Sequence, residues 1–410
     1  MFVALLLFTA CTKRSITEFP AAEALSRASI SLTWDTIGAG EMVALLTNQT
    51  FAKVKDGEPG EPFKFQLSAT NGLYYKDSSD LTGSGSFDSS GHATIPIPAL
   101  TRYNDGELIL KVSLKDTVII ASTFKQASVI RTYRDFMFMH YPGSKSFVQS
   151  RDLAFPDTTF TGAPNNVDLY STYDGQGHRI SNLKIINLSK EAGTSVGLFS
   201  YADGAVVKNL RLELKDTGIY VNNGVTCGGL IGFSTNSKII NCTMTGNVNS
   251  IGSTPICGGL IGQSVKDTVI ACGFKGSLTG YACGGIMGSA SGSVINLCYG
   301  YWNGSMQTGG GLVGYSITTN ANIANSYAYT YSIGYNDDYF AIRAGTQTGD
   351  LTNVFACNGL ANPGVIMLAG RDELFATVTS FTLTEWPAGV IPPADHQPFK
   401  NGDIPKLWWE

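Results

Sequence analysis

Charged side chains are scarce in this sequence: Asp, Glu, Lys and Arg make up 15% of 410 residues, and the net charge is −4. No basic stripe is present to neutralise phosphates, which excludes nucleic acid as the main partner. Histidine is scarcer still, with four residues. His92, His140, His178 and His396 are followed by Ala, Tyr, Arg and Gln, so the H-E-x-x-H zinc motif is missing. No two cysteines stand in C-x-x-C spacing, and no G-K-[ST] phosphate loop occurs. The turn sequence Gly83-Ser84-Gly85-Ser86 lacks the pattern of a nucleophile elbow. Beyond residues 2–10 no apolar run is long enough to span a bilayer. No metal and no cofactor is expected.

What the chain does have is glycine, 47 residues of it, and a repeat. CGGLIG at 227–232 returns as CGGLIG at 257–262, CGGIMG at 283–288 and GGGLVG at 309–314. A degenerate earlier copy is Val196-Gly197-Leu198-Phe199. The copies recur at uneven spacings of 26 to 32 residues, and repetition at that period marks a stacked architecture. A second mark follows the hexapeptide at Leu210, Cys242, Cys272, Cys298 and Ser326, with further copies at Leu183 and Val354. The surrounding segments (VKNLRL, IINCTM, VIACGF, INLCYG, IANSYA) read as short strands bounded by turn residues. Each repeat then adds one coil of a parallel β-solenoid. The glycines let the backbone turn with φ > 0, or pack closely, at one corner of every coil. Cys227, Cys257 and Cys283 form one expected vertical ladder; Cys242, Cys272 and Cys298 form another. Both are read as stacked, buried free thiols acting as small hydrophobes.

The repeat resembles the GLUG motif of bacterial surface proteins. Tyr173-Asp174-Gly175-Gln176-Gly177-His178-Arg179-Ile180-Ser181-Asn182-Leu183 is similar to the segment that leads into GLUG coils, and Gly402-Asp403-Ile404-Pro405-Lys406-Leu407-Trp408-Trp409 to their terminus. The resemblance covers roughly residues 145–410. It implies an IgA-protease-like repeat solenoid in a lipoprotein of Bacteroidetes type.

The N-terminal third differs. Alternating stretches (ASISLTW, EPFKFQLSA, GELILKVSL, TVIIASTF) are separated by turn clusters, the pattern of a β-sandwich of about seven strands. It loosely resembles fimbrillin-like and Ig-like modules. Residues 2–10 are almost all apolar and end in Phe8-Thr9-Ala10 before Cys11, which resembles a lipobox with Cys11 as the acylated residue. The expected organisation is a signal and tether over 1–28, a β-sandwich over 29–130, and a solenoid with a C-terminal cap over 131–410: an all-β chain. Such a protein would be lipid-anchored at the outer membrane, on its cell-surface or periplasmic face.

Chemistry is thin along the coils. Between Gly224 and Gly334 the only acid is Asp267, so a paired-carboxylate site of the glycosidase kind is missing there. Asp174 and His178 are read as turn-fixing residues. Asp337-Asp338 could hold calcium or simply face water. Four Asp-Thr tripeptides, at Asp35, Asp116, Asp157 and Asp267, resemble the Bacteroidetes O-glycosylation sequon. The outer face offers more. If Cys298 and Ser326 point inward, alternation turns Tyr299, Tyr301, Tyr327 and Tyr329 outward, with Phe355 continuing the first row. Trp302, Tyr331, Tyr335 and Tyr339 lie close in sequence. These aromatics suit stacking on sugar rings or docking a protein, and they equally suit packing under residues 371–400. The expected role is a non-catalytic, adhesin-like module for a glycan or a host or bacterial surface protein. The alternatives are a carbohydrate-active enzyme on a β-helix, favoured by a close carboxylate pair, and a structural spacer, favoured by burial of the aromatic row.

Overall fold

The computed structural model describes residues 128–410 with breaks at 138, 140–145, 165–167, 189–193, 223–225, 253, 317–320, 335–338, 345–348, 361, 388–389 and 391–392; before them it describes 32–34, 50–54, 57–69, 80–97, 107–114 and 117–125. Cys11, Asp35, Asp116, His140, Tyr335, Asp337 and Asp338 fall outside the described residues.

From Ser128 to Met367 the described residues form a parallel β-solenoid. One face is a six-stranded stack of Asp168–Leu169, Phe199–Asp203, Ile231–Thr235, Ile261–Val265, Met287–Ser291 and Val313–Ser316, every pair parallel. The remaining coil segments form a second parallel stack, running from Ser128–Ile130 to Val365–Met367. Its longer strands, such as Lys238–Ile251 and Asn322–Gly334, bend at one residue per coil in the left-handed region: Asn182, Asn209, Asn241, Ala271, Leu297, Asn325 and Asn353, with φ between 50° and 68°. Asparagine tolerates that region because its short amide bonds locally. Here the amides also bond from coil to coil. Asn241 donates to Asn209 at 3.1 Å, Asn353 to Asn325 at 3.0 Å, and Asn209 to the Asp174 carboxylate at 3.0 Å.

The hexapeptides sit where the repeat predicts. Cys227 stacks on Cys257, Cys257 on Cys283, and Cys283 on Gly309. The middle glycine is there for close approach. A Cβ on Gly229 would lie 2.6 Å from the Gly259 carbonyl oxygen, and one on Gly285 would lie 2.6 Å from that of Gly311. Those same carbonyls accept the glycine N–H groups, at 3.1 and 3.2 Å. Leu230, Ile231, Leu260, Ile261, Ile286 and Met287 fill the interior behind them.

The seven described cysteines are free thiols. Those in the second ladder do more than fill space. The Cys242, Cys272 and Cys298 thiols each donate to the carbonyl two residues back, at 3.4, 3.2 and 3.3 Å. Ser326 makes the same bond at 2.6 Å to Ala324. A small side chain with one X–H donor serves the bend at this position, which is why serine and cysteine exchange there. Burial pushes the Cys227, Cys272 and Cys283 thiols well above their usual range.

A helix closes the first end of the core. Helix α1, Tyr133–Met137, places the fully buried Phe136 against Phe155, Tyr173 and Phe199, with ring centroids 5.7, 5.9 and 5.6 Å apart. Near the other end, helix α2, Arg371–Ser380, and the tail after it lie along the outside of the last coils. The N-terminal third holds two antiparallel sheets: Leu32–Trp34, Thr50–Val54 and Ala93–Ile97, and then Asp80–Ser86, Pro62–Ala69, Glu107–Leu114 and Thr117–Lys125. No helix among the described residues is long and apolar enough to cross a membrane.

Candidate functional site

The bend puts Cys298 inside and Tyr299 and Tyr301 outside. Register then aligns Tyr299, Tyr327 and Phe355 in one row, and Lys275, Tyr301 and Tyr329 in the next. The rings stack from coil to coil. Tyr299 and Tyr327 are 5.6 Å apart at 12°, and Tyr301 and Tyr329 are 5.3 Å apart at 21°.

The first of these rows is not open surface. Tyr299, Tyr327 and Phe355 are buried in a second core with Leu374, Val378, Leu383, Phe399, Ile404 and Leu407 from α2 and the tail. Phe399 meets Tyr327 edge-on at 5.1 Å, and Phe381 meets Phe355 at 5.5 Å. The Tyr299 hydroxyl donates to the Glu410 carboxylate at 3.0 Å, that of Tyr327 donates to the Pro405 carbonyl, and the Trp409 indole donates to the Ala271 carbonyl at 3.1 Å. Burial raises the Tyr299 and Tyr327 phenols well above their usual value. Trp302 faces the other way. It is buried in the solenoid interior with its indole N–H on the Gly311 carbonyl at 2.9 Å.

Tyr301 and Tyr329 are partly buried, packed against the edge of this second core. Tyr331, 37% exposed, lies 5.2 Å from Tyr301 and 6.0 Å from Tyr329. Phe375 of α2 closes the group, 6.3 Å from Tyr301 and 5.8 Å from Tyr329. Two cations border it: Lys275 Nζ is 5.9 Å from the Tyr301 centroid, and the Arg371 guanidinium is 5.9 Å from that of Phe375. Arg371 also pairs with Asp372 at 3.0 Å. Phe375 escaped the sequence reading. Its only signal was the adjacent Leu374 and Val378 at helical spacing, the two buried residues of α2.

The lead-in residues do structural work. Asp174 accepts from the Gln176 backbone N–H at 2.9 Å and its side chain at 2.7 Å, and pairs with Lys208 at 3.2 Å. His178 reaches Asp152 at 3.4 Å. Arg179 lies between Asp152, at 3.7 Å, and Glu213, at 3.1 Å, and so bridges these two carboxylates. Among the described residues no three His, Cys, Asp or Glu side chains group as a metal site. The G-x-S-x-G spacing does occur once, at Gly193-Thr194-Ser195-Val196-Gly197. Ser195 and Val196 form a parallel strand paired with Thr226 and Cys227, not the strand-to-helix elbow that the motif needs.

No family model matches the chain, and no curated protein matches it in sequence. Among solved structures it is similar to one described as an IgA1 protease, at 17% identity and a TM-score of 0.41. That match covers 74% of this chain and 28% of the other, so the chain spans less than a third of the protein it resembles.

Proposed function

We propose that this is a GLUG-type envelope lipoprotein, acylated at Cys11, with an Ig-like sandwich built from the two antiparallel N-terminal sheets. Its solenoid is a non-catalytic, adhesin-like binding module. The observation that carries this reading is the group of the partly buried Tyr301, Tyr329 and Phe375 with the exposed Tyr331, beside Lys275. Aromatic rings held on a rigid sheet, with a cation at their edge, suit a glycan: the rings stack on sugar C–H faces and the ammonium bonds hydroxyl or carboxylate oxygens. The spacer reading draws on the burial of Tyr299, Tyr327 and Phe355.

A glycan array separates the two. The whole chain is run beside Tyr331→Ala and Lys275→Ala, both changed at the rim. Binding by the parent that both variants lose supports recognition at this group. A parent that binds none of the mucin or plant polysaccharide fragments removes those glycans and favours the spacer.

A further inference from the structure

The six-stranded face carries a different aromatic file. Tyr170, Tyr201 and Phe233 follow one another over three coils, with ring centroids 6.1 and 5.5 Å apart, and Tyr201 and Phe233 stack at 8°. Tyr170 is 60% exposed, and no core cluster includes any of the three. Acids alternate with these rings. Register sets Asp168 opposite Tyr201 and Leu169 opposite Ala202, so Asp203 falls opposite Tyr170. The Tyr170 hydroxyl donates to Asp168 at 3.1 Å, which ties the ring to one carboxylate while register sets it opposite the other. Neither carboxylate forms an ion pair among the described residues. The charged groups acting on these phenols are also acids. The Tyr170 phenol is raised by its hydrogen bond to Asp168, then by burial and the neighbouring carboxylates; Tyr201 is raised by burial, then by Asp203 and Asp168.

We infer that this face, over the first three coils, is a docking surface for an arginine-bearing polypeptide segment. A guanidinium is the group that uses both features at once. Its plane lies against an exposed Tyr170 ring, and its fork of donors reaches the unpaired carboxylates. An extended peptide sets alternate side chains about 7 Å apart, the scale of the diagonal between residues such as Asp168 and Asp203 on adjacent strands. A lysine would form the ion pairs without the stacking. A neutral sugar would stack without using the charge.

The test is fluorescence anisotropy of the whole chain with a labelled peptide alternating arginine and glycine. Its lysine counterpart and a neutral cello-oligosaccharide run beside it. The arginine peptide binds saturably, more tightly than the lysine peptide, and weakens as salt rises. Asp168→Asn with Asp203→Asn weakens it about tenfold, the scale of losing charge-assisted bonds. Tyr170→Ala weakens it too, and because Tyr170 is exposed that variant keeps the fold, as its circular dichroism checks. Asp216→Asn with Asp403→Asn, which removes the same charge from exposed positions elsewhere, changes nothing. The inference is overturned by absent or unsaturable peptide binding, by binding that Asp168→Asn with Asp203→Asn leaves intact, or by equal loss in the charge-matched control. Displacement of the peptide by the neutral oligosaccharide would assign the face to sugar instead.

Discussion

Asp267 is the one acid along the central coils, and it is buried. Its carboxylate accepts from the Ser264 hydroxyl at 2.5 Å and the Ser237 backbone N–H at 2.8 Å. Burial raises its pKa to about 6, against the pull of those donors. The folded state therefore holds this proton more tightly than the unfolded chain does. The stability it contributes is complete below about pH 4 and is lost as pH rises through about 6. Urea midpoints from pH 4 to 7 are expected to fall with rising pH in the parent relative to Asp267→Asn. The difference cancels the exposed carboxylates, which both chains share. Parallel profiles would mean that Asp267 titrates as it does in water. At this scale the sequence was partly legible. That Asp267 stands alone could be counted, but its burial follows from its turn position, stacked between Ser237 and Ser293 on adjacent coils. The asparagine row is written in the sequence too, one residue before the ladder position in five coils, beside the more conspicuous cysteines. Ala271 and Leu297 break that row where the bend is buried against the C-terminal tail and an amide would lose its solvent.

At the scale of elements, alternation predicted which side chains leave the coil but not what meets them. The outward direction of Tyr299 and Tyr327 follows from the inward Cys298 and Ser326. Their cover comes from α2 and a tail of little regular structure, whose buried residues are spread thinly from Leu374 to Leu407. No periodicity announces such an element. The distinction has a consequence for mutagenesis. Tyr327→Ala removes a fully buried ring and is expected to cost about 3–5 kcal/mol. Tyr331→Ala, at the exposed rim, is expected to fall within about 0.5 kcal/mol of the parent. Urea unfolding of the two variants checks this. Near-equal midpoints would mean that the tail does not pack on the Tyr327 row in solution.

Over the whole molecule, each coil touches its neighbours, so a coil is as stable as what lies on either side of it. The architecture was the most legible feature because similar hexapeptides must stack alike. The closures were less so, since each occurs once. Phe136 closes one end, with Tyr133 and Met139 beside it. Along the last coils the closure is lateral. The tail lies over the outward aromatic rows and reaches back to Ala271 through Trp409, while Leu360 and Ile366 beyond it stay 51% and 45% exposed. The tail should therefore govern only the coils it covers. A chain ending at Gly370 uncovers Tyr299, Tyr327 and Phe355 together, a continuous apolar strip of the kind that drives association. In hydrogen exchange, amides of Tyr299–Gly310 and Asn322–Gly334 are expected to lose protection, whereas those of Val206–Asn222 and Lys238–Ile251 keep theirs. Uniform loss along all four strands would mean that the solenoid unfolds as one unit. Unchanged protection in the later strands would mean that coil stacking alone holds them, with the tail a passenger.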